Sequence, residues 1–491
     1  MVGALARCAK REGEFGVVLV SLLATLMTAC VSSGRPSSSG SPAQSPVSAA
    51  SWSDSVLRTM TLRQKVAQMV WPFMLGDYAA TDSPSWTQLE RLVTQDQVGG
   101  FIVSVGSPLD IATKTNALQR ASRVPLLFSA DFETGAGFRV RAGYFLPNAI
   151  DLGGATVFPL QMALGAIMTY HGILPALDSS GLPATLSPRI LGGLLRDTLS
   201  YRGLLVTDAM DMVGVLRQFG AAEAARRAVS AGADVLLMPS DVTGTIDAVV
   251  AGVQAGRYEE QRIDASVRRL LELKRRFGLD RARLVSLDSV RRVVGDTTHA
   301  ALARRVAERG VVLVKDSLRL VPMPLRRAAR VLMITYARRS DLGAGVGFAA
   351  ELRRGYDSVR SEFVSADDAT PDFRRLLSLA DSAEAVVLGS YVNISSTTAT
   401  AGAPRAFVDF VAALQARNAR VVLVSFGTPY LLQQAASVSS YMIAWGPSQA
   451  SQQAAARALL GSSAITGKLP ISIPPFARFG DGEQRSAVRT N

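Results

Sequence analysis

Tyr201-Arg-Gly-Leu-Leu-Val-Thr-Asp-Ala-Met-Asp-Met212 is the stretch on which the fold turns. Gly203 opens a short apolar run, Leu204-Leu205-Val206, of the kind a strand buried on both faces carries, and the run stops abruptly at Thr207 and Asp208. A carboxylate thus sits at a strand's C-terminal end. In parallel α/β architectures that end faces the ligand, which makes Asp208 a stronger candidate than an acid on a helix. The competing reading is that Asp208 caps a helix beginning near Met210, since Asp is a favoured N-cap.

Outward from this stretch, apolar runs at Val66 to Met74, Val98 to Val105, Pro125 to Ala130, Ala166 to Leu174 and Ala233 to Met238 read as further strands. Helical patterns at Trp86 to Thr94, Asp110 to Ser122, Pro188 to Leu199 and Ala221 to Ala231 lie between several of them. Strand alternating with helix means a parallel sheet. A closed (β/α)8 barrel needs eight such units, and only six strand candidates are present. After the basic helical segment Arg262 to Phe277, a second block has its own strands at Gly310 to Lys315, Arg330 to Thr335, Ala383 to Gly389, Arg420 to Phe426 and Tyr441 to Trp445. Helices at Ala406 to Ala416 and Ser448 to Leu460 fall among them, so this block reads as a second α/β layer domain with an open sheet. No repeat relates the two halves, and the polar tail after Pro475 is expected to fray.

The chain has 491 residues, too many for one core, and its 48% hydrophobic and 19% charged composition is that of a globular protein. Its formal charge of +13 comes mostly from Arg scattered on helices, such as Arg268-Arg269 and Arg275-Arg276, and not from clustered bases interleaved with aromatics. Nucleic-acid binding is therefore not expected. Residues 1–29 read as an export signal: Arg7, Lys10 and Arg11 precede an apolar run, Phe15 to Met27, too short to span a bilayer. Leu26-Met27-Thr28-Ala29-Cys30 resembles a bacterial lipobox, which implies a lipid on Cys30 and a membrane-anchored protein at the periplasmic or extracellular face of a bacterial envelope. The Ser/Pro-rich segment 30–50 suits a flexible tether. Cys8 lies within the signal, so no internal disulfide and no cysteine metal site is expected.

Polar groups collect at the strand ends of the first block. Asp131-Phe-Glu133-Thr-Gly135-Ala-Gly137-Phe-Arg139 follows one strand, and Ile167-Met-Thr-Tyr-His171 ends another. Thr156 to Gly165, Pro175-Ala-Leu-Asp178 and Leu182 to Ser187 lie beside them. In this order, and together with Thr61 to Met69, Ala231 to Pro239, Ser425 to Tyr430 and Gly467 to Pro474, these stretches resemble glycoside hydrolase family 3, particularly its β-N-acetylhexosaminidase branch. The resemblance runs from Ser51 to Pro475. It implies Asp208 as the nucleophile of a retaining mechanism, in which a second group about 5–5.5 Å away protonates the leaving oxygen. It also implies Asp131 and Arg139 as sugar-binding residues, with Glu133 and Asp211 structural. No cofactor is implied.

The departures are as informative. The branch carries a Lys-His-Phe-Pro-Gly-His-Gly stretch and an Asp-Ser-His whose His is the acid/base; this chain has neither, and its only histidines are His171 and His299. Segments that the family separates by a long run abut here at Gly165, Ala166 and Ile167, which agrees with the missing strands: two or more βα units are absent as one block. His171, at a strand end, is expected to bind substrate, and His299 to be an ordinary surface or packing residue. Glu351, Glu362 and Glu384 are available acids in the second block, but no motif nominates any of them. Gly343-Ala-Gly345-Val-Gly347 follows a strand, but its spacing is wrong for a dinucleotide fingerprint and it reads as a loop.

The expectation is an incomplete (β/α)8 TIM-like barrel over 51–285, a connector over 286–309, a C-terminal α/β sandwich domain over 310–478 and a tail over 479–491. The expected activity is removal of terminal β-linked N-acetylglucosamine from cell-wall or chitin-type oligosaccharides, possible only in impaired form without the family's acid. The alternatives are a β-glucosidase of the same family and an inactive sugar-binding relic, including the product of a damaged gene. The unclosed barrel is expected either to re-close with six strands or to leave a gap patched by Arg139 to Gly154 and the second domain.

Overall fold

The computed structural model describes residues 51–132, 139, 165–392, 402–418 and 420–488. The first layer opens with the helices Trp52–Arg58 and Leu62–Gln68, the second held by a capping box between Thr61 and Gln64. That helix takes the first three residues of the expected strand Val66 to Met74; the strand proper is split by Pro72 into β1 (Val70–Trp71) and β2 (Phe73–Leu75). An apolar run buried on all sides does not itself distinguish helix from strand, so the helix end falls inside the run. β3 (Gly100–Ser104), β4 (Leu127–Ser129), β5 (Ala166–Met168), β6 (Leu204–Val206) and β7 (Leu236–Leu237) follow, all within the expected runs.

Every pairing among these strands is parallel. β2 pairs with β3, and β3 with β4, on one side. On the other, β1 pairs with β7, β7 is bridged to β6 through Val235 and Val206, and β6 pairs with β5. The strand order is therefore that of a barrel whose first and last strands have met, with β4 and β5 left unpaired to each other among the described residues. The barrel is not closed, and the re-closing alternative is not realised. β5 is consistent with an open edge, since Ala166 and Met168 are exposed. Residues 140–164, between those two strands, lie outside the described residues, as do Glu133, the signal segment and Cys30.

Helices Ala221–Ala231, Val242–Gln254 and Glu260–Arg276 cover β1, β6 and β7 in one core; Pro84–Arg91 and Pro108–Ala121 cover β2 to β4 in another. Arg189–Thr198 is wound with wide π turns. Helix Leu287–Val293 packs on Pro108–Ala121, and Val285 exchanges two hydrogen bonds with Asn116, whereas helix Thr297–Gly310 packs on Gln449–Leu460 in the second block. The connector thus divides between its two neighbours.

The second block is one six-stranded sheet. Its strands are β8 (Val312–Asp316), β9 (Arg330–Ala337), β10 (Ser358–Ser365), β11 (Ala385–Ser390), β12 (Val421–Ser425) and β13 (Ser440–Ile443), in the order β10-β9-β11-β12-β13-β8. Only β8 runs antiparallel. Apolar cores fill both faces. β10 was not anticipated. As far as Val488 the tail is tied down: Glu483 N–H donates to Leu313 O at 2.7 Å, Arg485 pairs with the buried Asp316 at 3.0 Å, and Val488 N–H donates to Gly461 O at 2.8 Å. Among the described residues no helix is long and apolar enough to cross a membrane.

Candidate active site

Asp208 follows β6, and the backbone around it is fixed from both sides. Thr207 N–H donates to Val235 O at 3.0 Å, its buried hydroxyl oxygen accepts from Leu237 N–H at 3.0 Å, and Met210 N–H donates to Leu237 O at 2.8 Å. Asp208 itself is half-buried, and its Oδ1 accepts from Ala209 N–H at 2.8 Å. The next helix begins only at Val213, with Met212 at the N-cap and no side-chain cap. Asp208 therefore caps nothing, and the helix start expected near Met210 moves three residues on. Asp211 is exposed.

His171 lies beyond β5, and the loop that carries it folds back on itself: Ala184 N–H donates to Gly172 O and Thr185 N–H to Tyr170 O. Its Nε2 sits 2.9 Å from Ala209 O, and its Nδ1 2.9 Å from Thr185 Oγ1, which is 2.8 Å from Thr169 Oγ1. A carbonyl only accepts, so Nε2–H donates to Ala209 O, while Nδ1 and the Thr185 and Thr169 hydroxyls form one hydrogen-bonded chain. Both ring nitrogens of His171, expected to touch substrate, have protein partners, and the one on Ala209 O ties the loop to the residue that follows Asp208. Its threonine partners fall inside stretches already singled out, but only the folded-back loop brings them to the ring. Asp178 braces the same loop: the Ser187 hydroxyl and then the Ser180 N–H hold its carboxyl below the usual carboxylate range.

Asp131 follows β4, and Arg139 Nη2 lies 3.4 Å from its Oδ2. Because all strands of this sheet are parallel, Asp131, His171 and Asp208 share the C-terminal rim, the face on which (β/α) barrels place their chemistry. Neither Glu362 nor Glu384 is poised to donate a proton. Glu362 is held low by Arg375 and Arg360, Glu384 by the Arg330 backbone N–H and Arg326, and Glu351 is buried against Arg457 at 3.1 Å. A general acid needs the opposite, a pKa raised towards neutrality. His299 is exposed on helix Thr297–Gly310. No cluster of metal ligands occurs among the described residues.

A parallel strand–helix sheet with a carboxylate fixed on its C-terminal rim, followed by an α/β domain with apolar cores on both faces of its sheet, defines the class of barrel-type α/β proteins with an appended α/β domain. Residues 157–273 match the glycosyl hydrolase family 3 N terminal domain and residues 311–486 the glycosyl hydrolase family 3 C-terminal domain. The chain belongs to glycosyl hydrolase family 3. Asp208 and His171 lie within the first match; Asp131 and Arg139 precede it. A β-N-acetylglucosaminidase/β-glucosidase of Cellulomonas fimi is 31% identical over 188 residues, 36% of this chain and 33% of its own length. β-Hexosaminidase A of Pseudoalteromonas piscicida is 29% identical over 187 residues, 34% of this chain and 30% of its own. The chain thus spans about a third of the length of these curated relatives. In fold it is similar to a family 3 β-N-acetylglucosaminidase from Paenibacillus sp. str. FPU-7, with a TM-score of 0.71, 23% identity, and 84% of this chain and 98% of that chain covered.

Proposed function

We propose that the chain hydrolyses terminal β-linked N-acetylglucosamine, or a related β-glycoside, with Asp208 as the nucleophile of a retaining reaction. The observation that carries this is the part-exposed Asp208 carboxylate, free of any capping role and braced from β7 and by His171 on the rim. Family membership and the names of its relatives supply the substrate class. The carboxylate attacks the anomeric carbon as the bond to the leaving oxygen breaks, that oxygen takes its proton from solvent water, and a second water then cleaves the glycosyl ester, releasing the sugar and the Asp208 carboxylate. Asp131 and Arg139 orient sugar hydroxyls from the same rim. No positioned acid occurs among the described residues, and a first step without one forgoes on the order of 10²–10⁴-fold in rate, so turnover is slow and confined to substrates with good leaving groups. That same lack favours the second reading, a sugar-binding relic.

Wild type and Asp208→Ala, assayed on an aryl N-acetylglucosaminide, separate the two readings. Wild type is expected to turn over slowly and the variant to fall to the buffer rate; equal rates would dispose of the enzyme. Labelling of wild type by a 2-fluoro glycosyl donor, read as a mass increase lost in Asp208→Ala, isolates the nucleophile from the missing acid. We place the protein at the envelope through a lipid on Cys30, a reading supported by the lipobox-like Leu26 to Cys30. A Cys30→Ala variant that still fractionates with membranes would remove that anchor.

A further inference from the structure

The helix Glu260–Arg276 and the segment after it lie across the end of the first block opposite to Asp208. Ser266 and Arg269 meet Asp234 just before β7, Lys274 meets Gln68 just before β1, and Arg283 Nη1 donates to Ser122 O at 3.0 Å shortly before β4. Each contact falls at the N-terminal end of a strand, on the face away from the chemistry. Outward from it, Phe277, Leu284, Val285, Leu287 and Val293 are each 42–66% exposed. Among them stand the exposed Arg275, Arg276, Arg281 and Arg292, and Arg120 and Arg123 flank the carbonyl that Arg283 grips. Between residues 272 and 293 only Glu272 and Asp288 are exposed acids; Asp280 is mostly buried beside Arg281. Arg120, Arg123, Arg275 and Arg276 make no ion pair among the described residues, whereas Arg268 and Arg269, earlier on the same helix, pair with Asp54 and Asp234.

Arginines left unpaired are content in water, but large apolar side chains among them are not. An anionic bilayer surface takes both, since guanidinium groups pair with phosphate oxygens while apolar side chains enter the headgroup boundary. A soluble polyanion would take the charges and leave Phe277 and Val293 in water. A second copy of this face would set arginine against arginine. The chain also enters the folded body here: Asp54, on the helix Trp52–Arg58, pairs with Arg268 at 3.2 Å, nine residues or ~14 Å of helix before Phe277. The lipobox-like Cys30 precedes Ser51 by 21 residues in the sequence. We infer that this face docks on an anionic phospholipid surface, with Arg275, Arg276 and their neighbours on the phosphates and Phe277 and Val293 at the headgroup boundary, so that the rim bearing Asp208 points away from the bilayer. The inference goes beyond the hydrolase reading and needs no lipid on Cys30.

The test uses the full chain carrying Cys30→Ala, so that no acyl chain contributes, and measures co-sedimentation with vesicles of phosphatidylcholine alone and with roughly a third phosphatidylglycerol. The export segment is common to every protein compared and cancels. The phosphatidylglycerol vesicles are expected to bind at least about tenfold more tightly, and the preference to disappear in about 0.5 M NaCl. Each arginine at an anionic surface contributes about fivefold, so adding Arg275→Gln and Arg276→Gln should weaken that binding roughly 25-fold. Phe277→Ser with Val293→Ser should weaken binding to both vesicles several-fold and leave the phosphatidylglycerol preference unchanged. All four side chains are exposed, so thermal unfolding of the variants should match the parent. Equal binding to the two vesicles, or a preference that survives the arginine pair's removal, overturns the docking face. Self-association without vesicles that is lost with the same arginines gives the face to a second copy and equally overturns it. Neither result touches the Cys30 anchor or the Asp208 chemistry, whose tests are separate.

Discussion

Asp234→Ala is expected to destabilise the first domain by about 3–5 kcal/mol, the cost of stranding a buried partner's charge. Asp234 is fully buried just before β7, at the N-terminal face of the sheet, where barrels keep stability and not chemistry. Its Oδ2 meets Arg196 Nη2 at 2.5 Å and the Leu205 N–H at 3.0 Å; its Oδ1 meets Arg269 Nη1 at 2.9 Å and accepts from the Ser266 hydroxyl, with Arg262 Nη1 at 3.9 Å. One carboxylate therefore ties the π-wound segment Arg189–Thr198, β6, β7 and the helix Glu260–Arg276. Burial already pulls the Arg196 and Arg262 pKa values down, and Asp234 is the charge that opposes it. Removing it leaves three guanidinium groups facing one another with little water. For a domain of this size the melting temperature should fall by on the order of 10 °C. The exposed pair Arg327–Asp357, at 2.9 Å, supplies the contrast: Asp357→Ala should change stability by less than about 1 kcal/mol. Thermal unfolding of the two variants side by side decides the matter, and an Asp234→Ala protein that melts with wild type would refute the hub.

What could be read beforehand follows from which residues advertise their surroundings. The six expected runs of the first block are continuous and apolar, and the seven strands β1 to β7 fall within them but for Leu75 at the end of β2; β1, β3, β6 and β7 are buried throughout, so no polar side blurs their runs. β10 escaped notice because Ser358 to Ser365 is an edge strand, half of it solvent-facing, whose Arg360 and Glu362 read as loop chemistry. Asp208 was legible since a carboxylate ending an apolar run is itself the signal. The braces around it were not: Thr185 reaches His171 only because residues 169–187 double back, and no period in the sequence encodes that contact. Arg269 counts in the sequence only as one of the Arg residues scattered on helices, yet it turns in to Asp234, since spacing along a helix shows which residues share a side but not what lies opposite. The same helix hid a lysine. Ile263, Val267, Leu270 and Leu271 mark its buried face, and Lys274 continues their spacing.

Lys274→Met is expected to reverse the sign of its effect with pH. Lys274 is fully buried, its Nζ donates to Gln68 Oε1 at 2.5 Å, and it makes no ion pair among the described residues. Burial alone pushes its pKa down to about 7 from 10.5. Because the folded value lies below the unfolded one, the unfolded chain holds the proton more tightly between those limits. Stability is therefore lost as pH falls from 10.5 towards 7 and is constant below. Linkage puts the penalty on the order of 4 kcal/mol at pH 7 and ~1.4 kcal/mol at pH 9.5. Methionine has similar length and no charge, so it removes this penalty, but it leaves the Gln68 Oε1 acceptor unmet at a cost of about 1–3 kcal/mol. The variant should then be more stable than wild type at pH 7 by roughly 2 kcal/mol and equal or less stable near pH 9.5. Urea unfolding at both pH values reads the crossing directly. Adding Gln68→Leu, which takes away the orphaned acceptor, should keep the gain at pH 7 and raise the curve at pH 9.5. A difference between Lys274→Met and wild type that stays the same at the two pH values would mean that the ammonium is not titrating in the folded core.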